Sequence, residues 1–204
     1  FDGNTEHADA GNTSAFNFTS GNFTIAFWLY RISTAQNDVL LCRGLLSNDG
    51  YYVQLRSSSA NQIQLVTNQS GAYQLVTASD TVPASTWTHV VIVRDGTTGT
   101  IYYNGAEVSA YVYRQSIVNP ASSTRNLYLA QYNSGSLRPQ VRLDEVRTYD
   151  RALSSSEVSD LYSGSGSLTV GASGLSQVAG TFTAGSAAVD LNGGFSLTVD
   201  GEER

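Results

Sequence analysis

The chain has no lysine and no methionine among its 204 residues, and only one cysteine. Without lysine, all 11 fixed side-chain cations are arginine, scattered along a chain of net charge −6. Phosphate binding needs a clustered basic face, so this scatter excludes a nucleic-acid surface. The lone Cys42, in the apolar run Val39-Leu40-Leu41-Cys42, excludes an internal disulfide and reads as a small buried hydrophobe. A reactive thiolate would need a basic neighbour, and nothing in the sequence brings His7 or His89 to it. No apolar run is long enough for a membrane-spanning helix, and Phe1 does not open a signal peptide. The lack of methionine leads to the expectation that the natural start lies upstream and that the chain is a processed piece of something larger.

What is present is enough for one good core. Hydrophobic residues make up 41% of the chain, which at this length supports one main domain with a small annex. The dominant period is two, the signature of strands. Tyr51-Tyr52-Val53-Gln54-Leu55-Arg56, Ile63-Gln64-Leu65-Val66-Thr67 and Tyr73-Gln74-Leu75-Val76-Thr77 alternate, with Gln and Arg on the wet face. Phe23-Thr24-Ile25-Ala26-Phe27-Trp28-Leu29-Tyr30 carries large residues on both faces towards its end, as a central strand does. Asp49-Gly50, Ser70-Gly71, Asp95-Gly96 and Asn104-Gly105 supply residues that accept positive φ in tight hairpins. Many short strands with such turns predict an all-β, antiparallel two-sheet jelly-roll sandwich. One helix is predicted over about 154 to 161, because Ser154 and Glu157 form a capping box. Its apolar residues Val158 and Leu161, with Leu153 and Tyr162, would cover the end of a sheet as a lid on the core.

The run Leu143-Asp144-Glu145-Val146-Arg147-Thr148-Tyr149, continuing into that helix, resembles the closing segment of a laminin-G-like, concanavalin A-like jelly roll. Four further motifs fall in the order and approximate spacing of that family. They are Phe1-Asp2-Gly3, Phe23-Thr24-Ile25 leading to Trp28, Trp87-Thr88-His89-Val90-Val91 leading to Arg94-Asp95-Gly96, and Ile101-Tyr102-Tyr103-Asn104-Gly105. Together the five span about residues 1 to 162; each alone is only a strand with a turn. The resemblance implies a secreted, extracellular or cell-surface module that binds sugars, proteins or calcium and catalyses nothing. It also implies a structural calcium site near the chain start, at the positions matching Asp2 and Asp144, with a carbonyl near Gly44 as a further ligand. Calcium takes several such oxygens. The alternative reading pairs these carboxylates with Arg142 or Arg147.

The other candidate ligand is a glycan or an extracellular protein. The chain has 12 tyrosines and two tryptophans. Tyr51, Tyr52, Tyr73, Tyr111, Tyr113 and Tyr132 fall in or beside loops and outward strand positions, where a ring can stack on a pyranose beside Asn and Gln amides. Trp28 and Trp87 read as core residues, since such rings bury a large area. Glycosidases on this fold carry alternating acidic residues on one strand. Here the nearest pair, Asp144 and Glu145, is adjacent and on a strand would face opposite ways. Four sequons, at Asn12, Asn17, Asn22 and Asn68, suit a glycosylated extracellular protein, although Asn- and Ser-rich chains also produce them by chance.

The chain divides at residue 163. Residues 1–163 hold the jelly roll. Residues 164–204 carry nine of the 19 glycines and no charge until Asp190. Ser167-Leu168-Thr169-Val170, Thr181-Phe182-Thr183, Ala187-Ala188-Val189-Asp190-Leu191 and Phe195-Ser196-Leu197-Thr198-Val199-Asp200 read as short strands of a β-rich extension too small to bury its own core. Such strands would pair with the jelly roll, with a following domain or with another molecule. This opens an alternative function, a structural subunit of an extracellular filament, fibre or matrix that self-associates by strand addition through 164–204.

Overall fold

A computed structural model describes residues 1–32, 38–56, 61–113 and 117–164, with the backbone alone at Tyr113. The strands expected within 165–204 lie outside the described residues. The described chain forms β1 (Ala8–Asp9), β2 (Phe23–Arg31), β3 (Asp38–Leu45), β4 (Asp49–Arg56), β5 (Gln62–Gln69) and β6 (Ala72–Thr81). These are followed by β7 (Trp87–Asp95), β8 (Thr98–Tyr103), β9 (Ala106–Val108), β10 (Ala110–Tyr113), β11 (Tyr128–Leu129) and β12 (Val141–Tyr149), and then by the helix α1 (Ser155–Ser163). The strands build two antiparallel sheets, ordered β1-β11-β3-β4-β5-β6-β10 and β12-β2-β7-β8-β9. This is the jelly-roll sandwich that the alternation predicts.

The inner faces meet in one core. Phe23, Ile25, Phe27 and Leu29 of β2 and Val90 and Ile92 of β7 pack against Tyr51, Val53 and Leu55 of β4 and Ile63 and Leu65 of β5. Burying each such side chain contributes about 1.5–3 kcal/mol. Tyr51 belongs here, stacked near Phe18 and Phe23, and is therefore no ligand-binding ring. Its partners Val53 and Leu55 share its phase on the strand and set it inward. The same phase rule corrects the reading of Trp28 and Trp87 as core. The odd residues of β2 and the even residues of β7 fill the interior, so both tryptophans stand on the outer face, with Trp87 39% exposed.

Three buried arginines tie loops to the sandwich. Arg43 donates to the Asn17 side chain and to the Asn12 and Ser123 carbonyls, Arg94 to the Ile117 and Gly21 carbonyls, and Arg31 to the Val82 carbonyl. A planar fork that donates in several directions suits this task. Two of the sequon asparagines serve the fold in the same way. Asn17 accepts from Arg43 and from the Ser123 N–H, and the buried Asn68 accepts from the Ser47 N–H.

Local signals at the turns hold with two shifts, one of which makes Gly96-Thr97 the β7–β8 turn because Asp95 still belongs to β7. The β3–β4 turn runs over residues 46–48, and Asp49-Gly50 opens β4. Gly50 has φ +64°, and a Cβ there would overlap the Arg43 carbonyl oxygen, so no other residue fits. The capping box forms as expected: the Glu157 N–H donates to Ser154 Oγ at 3.3 Å, and Glu157 Oε2 accepts the Ser154 N–H at 2.8 Å. Gly164 ends the helix in the left-handed conformation. The helix is not a lid on the sheet end. Val158 and Leu161 of the helix, with Leu153 just before it, lie against Ala26, Val91, Val93 and Tyr102, covering part of the outer face of the five-stranded sheet. No described helix is long and apolar enough to cross a membrane.

Candidate functional site on the open face of the larger sheet

The outward residues of the seven-stranded sheet line up in two rows across it. Cys42, Tyr52, Val66 and Leu75 are register neighbours on β3, β4, β5 and β6, and so are Gln54, Gln64, Thr77 and Tyr111 on β4, β5, β6 and β10. The first row is apolar and packs with Val39, Tyr73 and Tyr132 as a satellite cluster. The second row is a hydrogen-bonded ladder. Gln54 Nε2 donates to Gln64 Oε1 at 2.7 Å, and Gln64 Nε2 donates to Thr77 Oγ1 at 2.7 Å. One oxygen or hydroxyl per rung is thereby satisfied on this face.

Above the ladder, Arg56 Nη1 donates to the Tyr111 hydroxyl at 2.8 Å. The two residues belong to β4 and β10, which β5 and β6 separate. Three strand spacings amount to about 14 Å, so both long side chains must lie over the face to meet. This clasp walls a groove of about 410 Å³, whose lining includes Tyr52, Gln54, Gln64, Tyr73 and Tyr111. Tyr132, in the loop before β12, packs beside two of the lining residues, Tyr52 and Leu46. Its ring stands edge-on to Tyr52, with centroids 5.6 Å apart, and its hydroxyl accepts the Leu46 N–H at 2.9 Å. Burial raises the Tyr52 and Tyr132 phenols above their ordinary value, so both remain neutral O–H groups.

Of the six tyrosines expected to bind ligand, the structure thus gathers Tyr52, Tyr73, Tyr111 and Tyr132 and places Tyr51 in the core. The Tyr113 side chain lies outside the described residues. Arg56, Gln54 and Gln64 were not singled out, although the polar phase of the strands carried their signal. Cys42 is inert beneath the groove: burial pushes its thiol up to about 11, and Sγ donates to the Gly44 carbonyl at 3.3 Å.

Asp2 and Asp144 do not come together. Asp2 bridges to Gln140, and Asp144 lies four residues further along an extended strand, roughly 13 Å away. Asp2 instead caps its own turn. Its Oδ1 accepts the Asn4, Thr5 and Glu6 N–H groups at 2.8, 2.9 and 3.0 Å, and its Oδ2 accepts the Thr5 hydroxyl at 3.0 Å. The Glu6 amide first, then those of Asn4 and Thr5, hold this carboxyl far below the usual range. Oxygens surrounded by donors do not fit a calcium site shared with Asp144. Among the described residues, no three His, Cys, Asp or Glu side chains gather as a metal cage. Nor are the two aspartates paired with Arg142 or Arg147. Arg142 lies over Tyr30, and Arg147 reaches Glu145.

A laminin G-like family model, described as the concanavalin A-like lectin/glucanases superfamily, matches residues 2–159. No curated protein sequence matches. Among solved structures, the binding domain of Paraclostridial Mosquitocidal Protein 1 is similar at 20% identity and TM-score 0.61, covering 79% of this chain and 42% of that one. The botulinum neurotoxin serotype G binding domain is similar at 18% identity and TM-score 0.60, covering 79% and 41%. The binding domain of botulinum neurotoxin DC, solved in complex with rat synaptotagmin II, is similar at 12% identity and TM-score 0.57, covering 78% and 40%. The chain thus spans about two fifths of the length of these structures. At such identities the likeness is one of fold.

Proposed function

The chain belongs to the concanavalin A-like lectin/glucanases superfamily, and on that premise we propose that it is a non-catalytic extracellular binding module whose open seven-stranded face takes a carbohydrate chain. The observation that carries the reading is the convergence of Tyr52, Tyr73 and Tyr111 with the Gln54 and Gln64 amides and Arg56 around one groove. Ligand sites pair an apolar floor with a few fixed polar groups. Phenol rings offer apolar faces to the C–H side of a pyranose, while amides and a guanidinium bond its hydroxyls. Aromatic, amide and guanidinium groups hold a sugar; at neutral pH they are poor proton shuttles. That the fold-similar structures are toxin binding domains adds support for a binding role.

The test is a glycan array on the intact chain, followed by calorimetry on any hit. Tyr73→Ala and Gln54→Ala should each weaken binding at least tenfold, while Trp87→Ala, on the other sheet, should leave it unchanged. An array without a hit removes the carbohydrate reading. A hit indifferent to both groove variants moves the ligand elsewhere. Calcium is given no place between Asp2 and Asp144; a melting temperature that rises with calcium and falls with chelator would overturn that assignment.

A second reading, self-association by strand addition, is favoured by the edge position of β10 and its exposed Tyr111 and Val112. Light scattering tests it: an assembly lost on deletion of 165–204 would support a filament subunit, and a monomer would exclude it.

A further inference from the structure

Among the described residues, α1 covers only part of the outer face of the five-stranded sheet. Beyond the helix that face carries two rows of register neighbours, Arg142-Tyr30-Trp87 and Asp144-Trp28-His89. Tyr30 meets Trp87 edge-on at 5.5 Å, and Trp28 lies 5.0 Å from His89 and 5.8 Å from Tyr162. Tyr162 in turn packs on the turn at Gly105. The rings brace one another, yet Trp87 remains substantially exposed.

Trp28, Trp87, Asp144 and Glu145 line a recess of about 300 Å³ on this face. Neighbouring residues on a regular strand point to opposite sides, which is why the sequence sets Asp144 and Glu145 apart. A β-bulge overrides that rule. Glu145 and Val146 together oppose the single Phe27 of β2, and Glu145 takes φ +47°. Both carboxylates therefore border the same space.

We propose that this recess binds a small quaternary ammonium cation of the choline type. Both charged groups lining it are negative, and the indole faces add the negative potential that attracts an alkylammonium. The same face already seats one cation this way, the Arg142 guanidinium 5.1 Å over the Tyr30 ring. Arg147 is held by Glu145 at 3.2 Å, and Asp144 Oδ1 accepts the Glu145 N–H at 2.8 Å. The recess has room for a trimethylammonium group. The site lies on the sheet opposite the tyrosine groove, so its fate is independent of the carbohydrate reading.

The chain's two tryptophans both line the recess, so intrinsic fluorescence of the intact chain reads occupancy directly. The titrants are choline, tetramethylammonium, methyl glucoside and 3,3-dimethylbutanol, the uncharged carbon analogue of choline. Choline and tetramethylammonium should give a saturable change, and dimethylbutanol and methyl glucoside none. Asp144→Asn, at an exposed position, should weaken the cations about tenfold, and Trp87→Phe should weaken them less. The proposal is overturned if no titrant saturates, if dimethylbutanol matches choline, if methyl glucoside alone binds, or if Asp144→Asn, folded by circular dichroism, binds choline as the parent does.

Discussion

The outer faces of the two sheets are made in opposite ways. On the seven-stranded sheet the register shifts beside the rows, between Val39 and Leu41 of β3 and between Gln62 and Gln64 of β5, but within each row the pairing is direct from strand to strand, and alternation brings like residues together. The product is wide and electrically mild: phenols, a ladder of amides and one guanidinium. On the five-stranded sheet the register breaks between Asp144 and Arg147, and a helix covers part of what remains. The product is small, aromatic and acidic. Faults that stay beside the rows thus leave a surface that can follow an extended ligand, whereas a fault within the row at Asp144 builds a pocket for a single charged group.

The comparison breaks most severely where the helix cover is removed. Val158 is fully buried against the outer face. Val158→Asp places an unpaired carboxylate there and should cost about 4 kcal/mol, read as a lower denaturant midpoint at unchanged slope. A loss under about 1 kcal/mol would mean that α1 is not part of the cooperative unit. On the other sheet the corresponding break is Gln64→Ala. It strands the Gln54 and Thr77 groups that Gln64 satisfies and should cost about 2 kcal/mol. Gln54→Ala, which removes only the ladder's end, should cost less; equal losses would mean that the bonds are not coupled.

What could be read in advance divides along the same line. The helix and its capping box were legible because Ser154 and Glu157 are three residues apart and act on each other. The strands were legible from period two. Tyr51 was misassigned although Val53 and Leu55 shared its phase, because adjacent tyrosines leave both phases aromatic. Trp28 and Trp87 were misassigned because ring size outweighed phase, even though Phe23, Ile25, Phe27 and Leu29 already filled the inner face. The bulge was not legible: its turning residue is Glu145, not a glycine that would mark it. Nor were the arginine ties, whose carbonyl partners lie 23 to 80 residues away in sequence. At Arg31, Arg43 and Arg94 the forked donor also gives a reason for arginine over lysine; nothing in the structure explains the preference at the exposed positions.

The sheets also differ in buried charge. Asp38, at the start of β3, is buried, and burial pushes its carboxyl from 3.8 up to about 6. Between those values the folded chain binds more protons than the unfolded one. Stability therefore falls as pH rises through that window and stays lower above it. Asp38→Asn should remove this slope, stabilising the chain by on the order of 1 kcal/mol at pH 7.5 and by almost nothing at pH 3.5. Melting curves at the two pH values check it, and an equal shift at both would assign the gain to packing.

The smallest effect bears most directly on how the two faces came to differ. Glu145 holds φ +47°, a conformation that costs a non-glycine residue about 1 kcal/mol. Its ion pair with Arg147 joins two exposed side chains and returns little of that. Glu145→Gly should therefore stabilise the chain by a few tenths to about 1 kcal/mol, the gain being limited by glycine's greater freedom when unfolded. The same change removes one of the two carboxylates from the recess beside Trp28 and Trp87, so cation binding should weaken as stability rises. Such opposed signs would show that the bulge is kept for what it places, not for what it stabilises. If the variant instead loses stability, the left-handed turn at Glu145 is held by the contacts of its own side chain, and the strain is part of the fold rather than of the site.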